Sequence, residues 1–351
     1  MTETRLAADP PSLTTPSPTT PSPTAPSLTT AALTNLRPVA TAPTVSAPFG
    51  TALVAAGKQR PDVVVLSADL SKYTDVGPFA AVYPDRFFQV GMAEQNMMGI
   101  AGGLAKTGFT PVAVTYGVFA TRRAGEQVQM ALATGGGTAV VAAFLPGLTT
   151  PFRATHQATD DLAIMRAVPG MTVIDPIDAT ELAAAVHAAL DAGGPVYLRA
   201  ERGEVAEILP PGTGFEIGRT LLLRDGADIG LVGTGLGTRW ALEAAEILAV
   251  NGVQAAVLHV PTLKPLDTAS VAGFAARFGS VVTLENHSVI GGLGSAVCEA
   301  VAEAGLRCRV QRRGVPDAWA PAAGPLDYLR RKLGLDADSV ADSILKTLGA
   351  S

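Results

Sequence analysis

Short unbroken apolar runs alternate along this chain with longer stretches in which apolar residues return every three or four positions. The runs at 62–67, 112–116, 138–144, 171–174 and 196–199 have strand length and are apolar on both faces. That is the pattern of parallel strands covered on both sides by helices. Between them, 51–59, 123–133, 160–167 and 178–191 carry helical spacing, the last stopped by Gly193-Gly194. A second set follows, with strands at 228–232, 255–260 and 280–284 and helices at 240–251, 295–304 and 336–348. Strands alternating with helices predict an α/β protein of two tandem parallel-sheet domains.

Composition changes this picture only at the N-terminus. Residues 1–46 are rich in Pro, Ser and Thr, with repeats such as Thr15-Pro16-Ser17-Pro18, and are expected to form a disordered tail. The first domain is then expected at 47–205, a linker around Pro210-Pro211-Gly212 at 206–225, and the second domain at 226–351. A chain of 351 residues with 48% hydrophobic content can bury a core in each domain. Net charge is −5 with no basic block, so no nucleic acid or membrane partner is expected. The uncharged stretch 127–152 is broken by Gly135-Gly136-Gly137 and Pro146, which fits a buried strand better than a membrane span. The N-terminus carries no basic region followed by an apolar one, as a signal peptide would. Cys298 and Cys308 lack metal spacing and form no disulfide framework, which suits a reducing cytoplasm.

One stretch carries candidate chemistry. In Val90-Gly91-Met92-Ala93-Glu94-Gln95-Asn96-Met97-Met98-Gly99-Ile100-Ala101-Gly102-Gly103-Leu104-Ala105, a lone acid opens a glycine-rich helix. Met97, Ile100 and Leu104 fall at helical spacing, and the glycines allow another backbone to come close. Read locally, Glu94 is an acid favoured by the helix dipole, and Arg122 and Arg123 are a solvated helix start. The wording resembles the pyrimidine-binding domain of the transketolase family. The resemblance continues through Val114-Thr115-Tyr116-Gly117-Val118-Phe119, Ala154-Thr155-His156-Gln157, Val196-Tyr197-Leu198-Arg199 and Leu284-Glu285-Asn286-His287-Ser288. It implies a thiamine diphosphate-binding pyrimidine domain followed by a transketolase C-terminal domain.

By that resemblance Glu94 is the catalytic acid that bonds the pyrimidine nitrogen and so activates the cofactor. Tyr116 and Phe119 are the rings that hold the pyrimidine, and His156 works on the donor. Arg202 matches a family arginine that binds substrate phosphate or carboxylate. Two positions depart from sugar-using relatives. Phe152 and Phe144 stand where an aspartate and a histidine hydrogen-bond sugar hydroxyls, which implies an unusual, less hydroxylated substrate. The family's Gly-Asp-Gly segment with its following Asn, which holds magnesium and diphosphate, is missing; Arg224-Asp225-Gly226 is the nearest.

The expectation is therefore the C-terminal subunit of a split, thiamine diphosphate-dependent transferase. An N-terminal subunit would supply the Mg2+ ligands, and a heterotetramer is expected. Ketol transfer is the expected reaction. The alternatives are a decarboxylating relative using a 2-oxo acid and a non-catalytic partner subunit. Gly233-Thr234-Gly235-Leu236-Gly237 is read as a tight turn rather than a dinucleotide site, because no acid ends the strand at 255–260.

Overall fold

The computed structural model describes residues 33–320 and 322–349, so the expected tail at 1–32 lies outside the described residues. Two parallel-rich α/β sheets stand in tandem, as the periodicity predicts. The larger has seven strands in the order Thr262–Lys264, Thr172–Ile174, Pro195–Ala200, Ala139–Phe144, Thr110–Tyr116, Val63–Ser67 and Phe87–Gln89. All pairs in it are parallel except Thr262–Lys264 against Thr172–Ile174. The smaller has five strands in the order Arg309–Val315, Ser280–Ser288, Ile229–Gly233, Ala255–His259 and Leu221–Arg224. Its last strand runs antiparallel to its neighbour.

Three differences from the sequence reading have simple causes. Residues 33–46, expected as tail, are anchored. Thr44–Ser46 pairs antiparallel with Glu204–Ala206, and the Leu33 amide donates to the Leu222 carbonyl at 2.9 Å. The expected linker likewise contains strand Leu221–Arg224, an edge strand too short to show a period. Helix Gly235–Val250 starts five residues before the expected 240. A Cβ on Gly237 would lie 2.1 Å from the Leu284 carbonyl oxygen, so the glycine run lets the helix start against the sheet, and Gly235 to Gly237, expected in a turn, belong to the helix. Among the described residues no helix is long and apolar enough to cross a membrane. Cys298 and Cys308 are both free thiols.

The two sheets are locked by buried polar groups. Arg199 on the larger sheet bonds Asp161, Asp175 at 3.2 Å and the Asn286 carbonyl of the smaller sheet at 3.4 Å. The Asn286 side chain accepts from the Leu148 amide at 2.9 Å and donates to the Pro146 carbonyl at 3.0 Å. Two motifs of the sequence resemblance, the strand ending at Arg199 and the Leu284–Ser288 stretch, thus meet each other rather than a site.

Beside this lock lie Glu285 and His287. Burial pushes the Glu285 carboxyl up to about 7, against the N–H groups of Gly294 and Leu293 that favour its charged form. Burial pushes His287 down to about 4. Its neutral ring is fully used, with Nδ1 donating to the Ser288 carbonyl at 2.7 Å and Nε2 accepting from the Ala163 amide at 3.3 Å. The signs oppose. Glu285 holds its proton more tightly folded than unfolded, so its contribution is full at low pH and is lost as pH rises through about 7. The contribution of His287 is present above the ordinary histidine value and is lost as pH falls through about 4. Between pH 5 and 8, thermal melting should therefore show wild type losing more stability than Glu285→Gln. Parallel curves would place the titration on another group.

Candidate active site

Strand Phe87–Gln89 ends in a turn at Gly91, whose φ of +74° suits glycine, and helix Glu94–Lys106 begins three residues later. The helix buries Met97, Met98, Ala101 and Ala105 against the sheet. Ile100, expected on that face, is instead 38% exposed, because Met98 and Ala101 define the buried stripe. A Cβ on Gly102 would lie 2.5 Å from the Ala131 carbonyl, so this glycine allows the next segment to close on the helix. The result is Glu94 at the first helical position with 1% exposure, its carboxylate at the positive end of the helix dipole.

The expected helix at 123–133 is not regular. Phe119–Arg123 and Val128–Ala133 are π-helical, flanking a short α-helical piece Gly125–Gln127. Widened turns of this kind recur at functional sites. Here the Ala124 amide reaches back to the Phe119 carbonyl at 3.0 Å, and Phe119 and Arg123 lie over one another. Arg123 donates to both carboxylate oxygens of Glu94, at 2.8 and 2.9 Å. Its guanidinium carbon is 4.2 Å from the Phe119 ring centroid. Arg122 turns the other way, to Asp160 at 2.8 and 3.0 Å, the Ala154 carbonyl at 3.1 Å and the face of Trp319. Both arginines are exposed, yet each has a fixed partner.

Four of the expected residues come together with Phe119 as the hub. Tyr116, at the end of strand Thr110–Tyr116, stacks on Phe119 with centroids 5.7 Å apart. His156 lies edge-on to Phe119 at 5.4 Å and to Tyr116 at 6.4 Å. Phe152 tilts against His156 at 4.9 Å and is 54% exposed. The Thr155 hydroxyl sits 2.9 Å from His156 Nδ1, leaving Nε2 as the ring nitrogen available to a substrate. Arg122 holds this loop through the Ala154 carbonyl. Arg202 is exposed over the Tyr73 ring at 5.8 Å, and its charge opposes the upward push that burial gives the Tyr116 hydroxyl.

Phe144 does not join them. It is fully buried and meets Phe49 edge-on at 5.2 Å, so it offers a substrate no surface. Its strand runs into the core beneath the site, and counting positions back from His156 could not reveal that. The nearest match to the missing metal motif is also remote. Asp225 follows strand Leu221–Arg224 of the smaller sheet and pairs with Arg277 at 2.5 Å. Among the described residues no cluster of three or more His, Cys, Asp or Glu could hold a metal ion.

Two residues escaped the sequence reading as site residues. Arg123 was visible only as one of a pair of charges. Gln157, next to His156, is 1% exposed, and neither its oxygen nor its nitrogen has a hydrogen-bond partner. A buried amide without partners is costly in a closed core and is understandable beside a binding site.

The family model described as "Transketolase, pyrimidine binding domain" matches residues 41–207, and "Transketolase, C-terminal domain" matches 218–340. The chain is 47% identical over 304 residues to y4mN, an uncharacterized transketolase family protein of Sinorhizobium fredii, covering 86% of this chain and 88% of that one. It is 41% identical over 281 residues to the 6-deoxy-6-sulfo-D-fructose transketolase subunit SqwH of Clostridium sp., covering 79% of this chain and 86% of the relative. A solved structure described as a split gene transketolase, inactive beta4 tetramer, superposes with a TM-score of 0.79 at 41% identity, over 86% of this chain and 97% of that one. Both domains in this order, matched along almost the full length of split-gene subunits, place the chain in the transketolase family.

Proposed function

We propose that this chain is the pyrimidine-binding half of a thiamine diphosphate-dependent transketolase, moving a two-carbon ketol unit from a ketose-type donor to an aldehyde-type acceptor. One observation carries the reading. A carboxylate buried at a helix N-terminus is joined through Arg123 to an aromatic ring, and that ring also contacts a histidine. The residues present suit an aminopyrimidine. Glu94 offers a buried carboxyl to a ring nitrogen, Phe119 offers a face for stacking with Tyr116 behind it, and Gln157 offers an unpartnered amide.

Thiamine diphosphate, when bound, supplies a nucleophilic carbon and an electron sink. The chain's own part is to orient and to move protons. Glu94 fixes the ring's tautomer through one hydrogen bond, and the rings around it exclude water. His156 Nε2 accepts or returns the proton of the donor hydroxyl as its carbonyl reacts. Phe152 narrows the mouth with an apolar face, which favours a donor with fewer hydroxyls there, and Arg202 reads an anionic end group. Phe144 has no part in this selection, since its ring is in the core.

Magnesium and the diphosphate are assigned to a separate N-terminal-type subunit, so the working assembly is expected to be a cytoplasmic heterotetramer. The outer face of helix Glu94–Lys106 supports this. Gly99 and Gly103 have nothing near a would-be Cβ, and Ile100, Met92 and Met130 are exposed beside them. Calorimetry with thiamine diphosphate and Mg2+ tests the reading directly. Binding is expected only when the chain is mixed with the N-terminal-type subunit. Tight, magnesium-dependent binding to the chain alone would overturn the split assignment. Carbon dioxide released from pyruvate by the mixture, in place of ketol transfer, would make it a decarboxylating relative.

A further inference from the structure

Arg123 makes two contacts that an aminopyrimidine would also make. Its N–H groups point at both oxygens of Glu94, and its flat guanidinium covers Phe119. Within this pair the Glu94 side chain is 2% exposed and that of Arg123 48%, so the acid is fixed and the arginine reaches it from the solvent side. Among the described residues Arg123 has no other hydrogen-bond partner, whereas Arg122 is held at both Asp160 and Ala154. Arg123 is therefore free to leave without breaking other structure, while a buried Glu94 without any partner would be costly.

The two occupants exclude each other, because both need the same carboxylate and the same ring face. We propose that Arg123 is a displaceable plug of the cofactor site. It pairs with Glu94 and covers Phe119 until the pyrimidine ring takes both contacts, and it then swings into solvent on its flexible side chain. This rests on the reading of Glu94 as the pyrimidine-binding acid. A closed form that must open lowers apparent affinity by the fraction that is open. An ion pair with one half-exposed partner is weak enough to open, yet strong enough to dominate the unliganded population.

The test is the calorimetric dissociation constant for thiamine diphosphate with Mg2+, measured on the chain mixed with the N-terminal-type subunit. Arg123→Ala is expected to bind about 5- to 30-fold more tightly than wild type, the factor corresponding to an ion pair of one or two kcal/mol. In a Glu94→Gln background the same change should have much less effect, since the plug has lost its anchor. Weaker or unchanged binding by Arg123→Ala would overturn the plug and leave Arg123 an anchor or a bystander. Should that variant fail to fold, Arg123→Lys carries the test. It keeps the charge but loses the flat two-point fit, so a smaller tightening is expected and a loss of affinity overturns the proposal. The underlying reading fails separately if the double variant Glu94→Gln/Arg123→Ala binds as well as Arg123→Ala alone, since with the plug gone the loss of the Glu94 contact cannot be masked. If the wild-type mixture binds no cofactor, reading and plug fall together.

Discussion

Glu94→Gln is expected to lower turnover by the reconstituted complex by about 10²- to 10⁴-fold, the range that a positioned acid or base contributes. Gln keeps the size and the hydrogen-bonding reach of the side chain, so folding should survive. It presents an amide where the ring nitrogen needs a carboxyl that can share a proton. Glu94 is 1% exposed and starts the helix, which fixes its carboxyl in place. The measurement is kcat of the variant mixture, with circular dichroism to show that the chain is folded. A loss below about tenfold, less than the general acid–base range, would remove Glu94 from the chemistry. Undiminished turnover would leave this chain as an interaction subunit.

Arg199→Leu is expected to destabilise the chain by about 3–5 kcal/mol, because it strands buried charges rather than breaking a surface pair. Arg199 is 1% exposed and bonds Asp161, Asp175 and the backbone of Asn286. Burial alone would disfavour both carboxylates. The guanidinium holds Asp161 below the usual carboxylate range despite that burial, while Asp175 stays above it. Removing Arg199 leaves two buried acids without their cation, with the Tyr197 hydroxyl still donating to Asp161 at 2.6 Å. A fall in melting temperature on the order of 10 °C is the expected readout. Arg199→Lys should recover little, since one ammonium cannot reach both acids and a carbonyl. A drop of only one or two degrees would mean that solvent enters the lock.

The two experiments separate regions that one sequence resemblance joined. The stretches through Phe119 and His156 bring their rings together, and Arg123 joins Phe119 to Glu94 at the candidate site. The motifs through Arg199 and Asn286 hold the two sheets together, and Asp161 of that lock begins the helix following the His156 loop. A change at Arg199 should therefore also loosen the site, although no atom of it reaches the rings.

The sequence by itself determined the α/β order and the family, and it singled out Glu94 as the candidate acid. Buried parallel strands are unbroken apolar runs and covering helices keep a 3.6-residue period, so Val63–Ser67, Ala139–Phe144 and Ala179–Leu190 could be read within a residue or two. Glu94 was legible as a candidate only through the resemblance of its motif, because locally it reads as an ordinary acid at a helix start. Short elements without a period were not legible. Thr262–Lys264 crosses from the second half to edge the first sheet, and Thr44–Ser46 pairs with a strand 160 positions away. Side-chain pairing was not legible either. That Arg123 reaches Glu94, that Phe144 faces Phe49 and that Gln157 is left without a partner are decided by how the sheet and the π-helical turns bring distant residues together. Local periodicity reports which face of an element is buried. Which groups then meet across the gap depends on backbone geometry and charge balance, which only the folded chain sets.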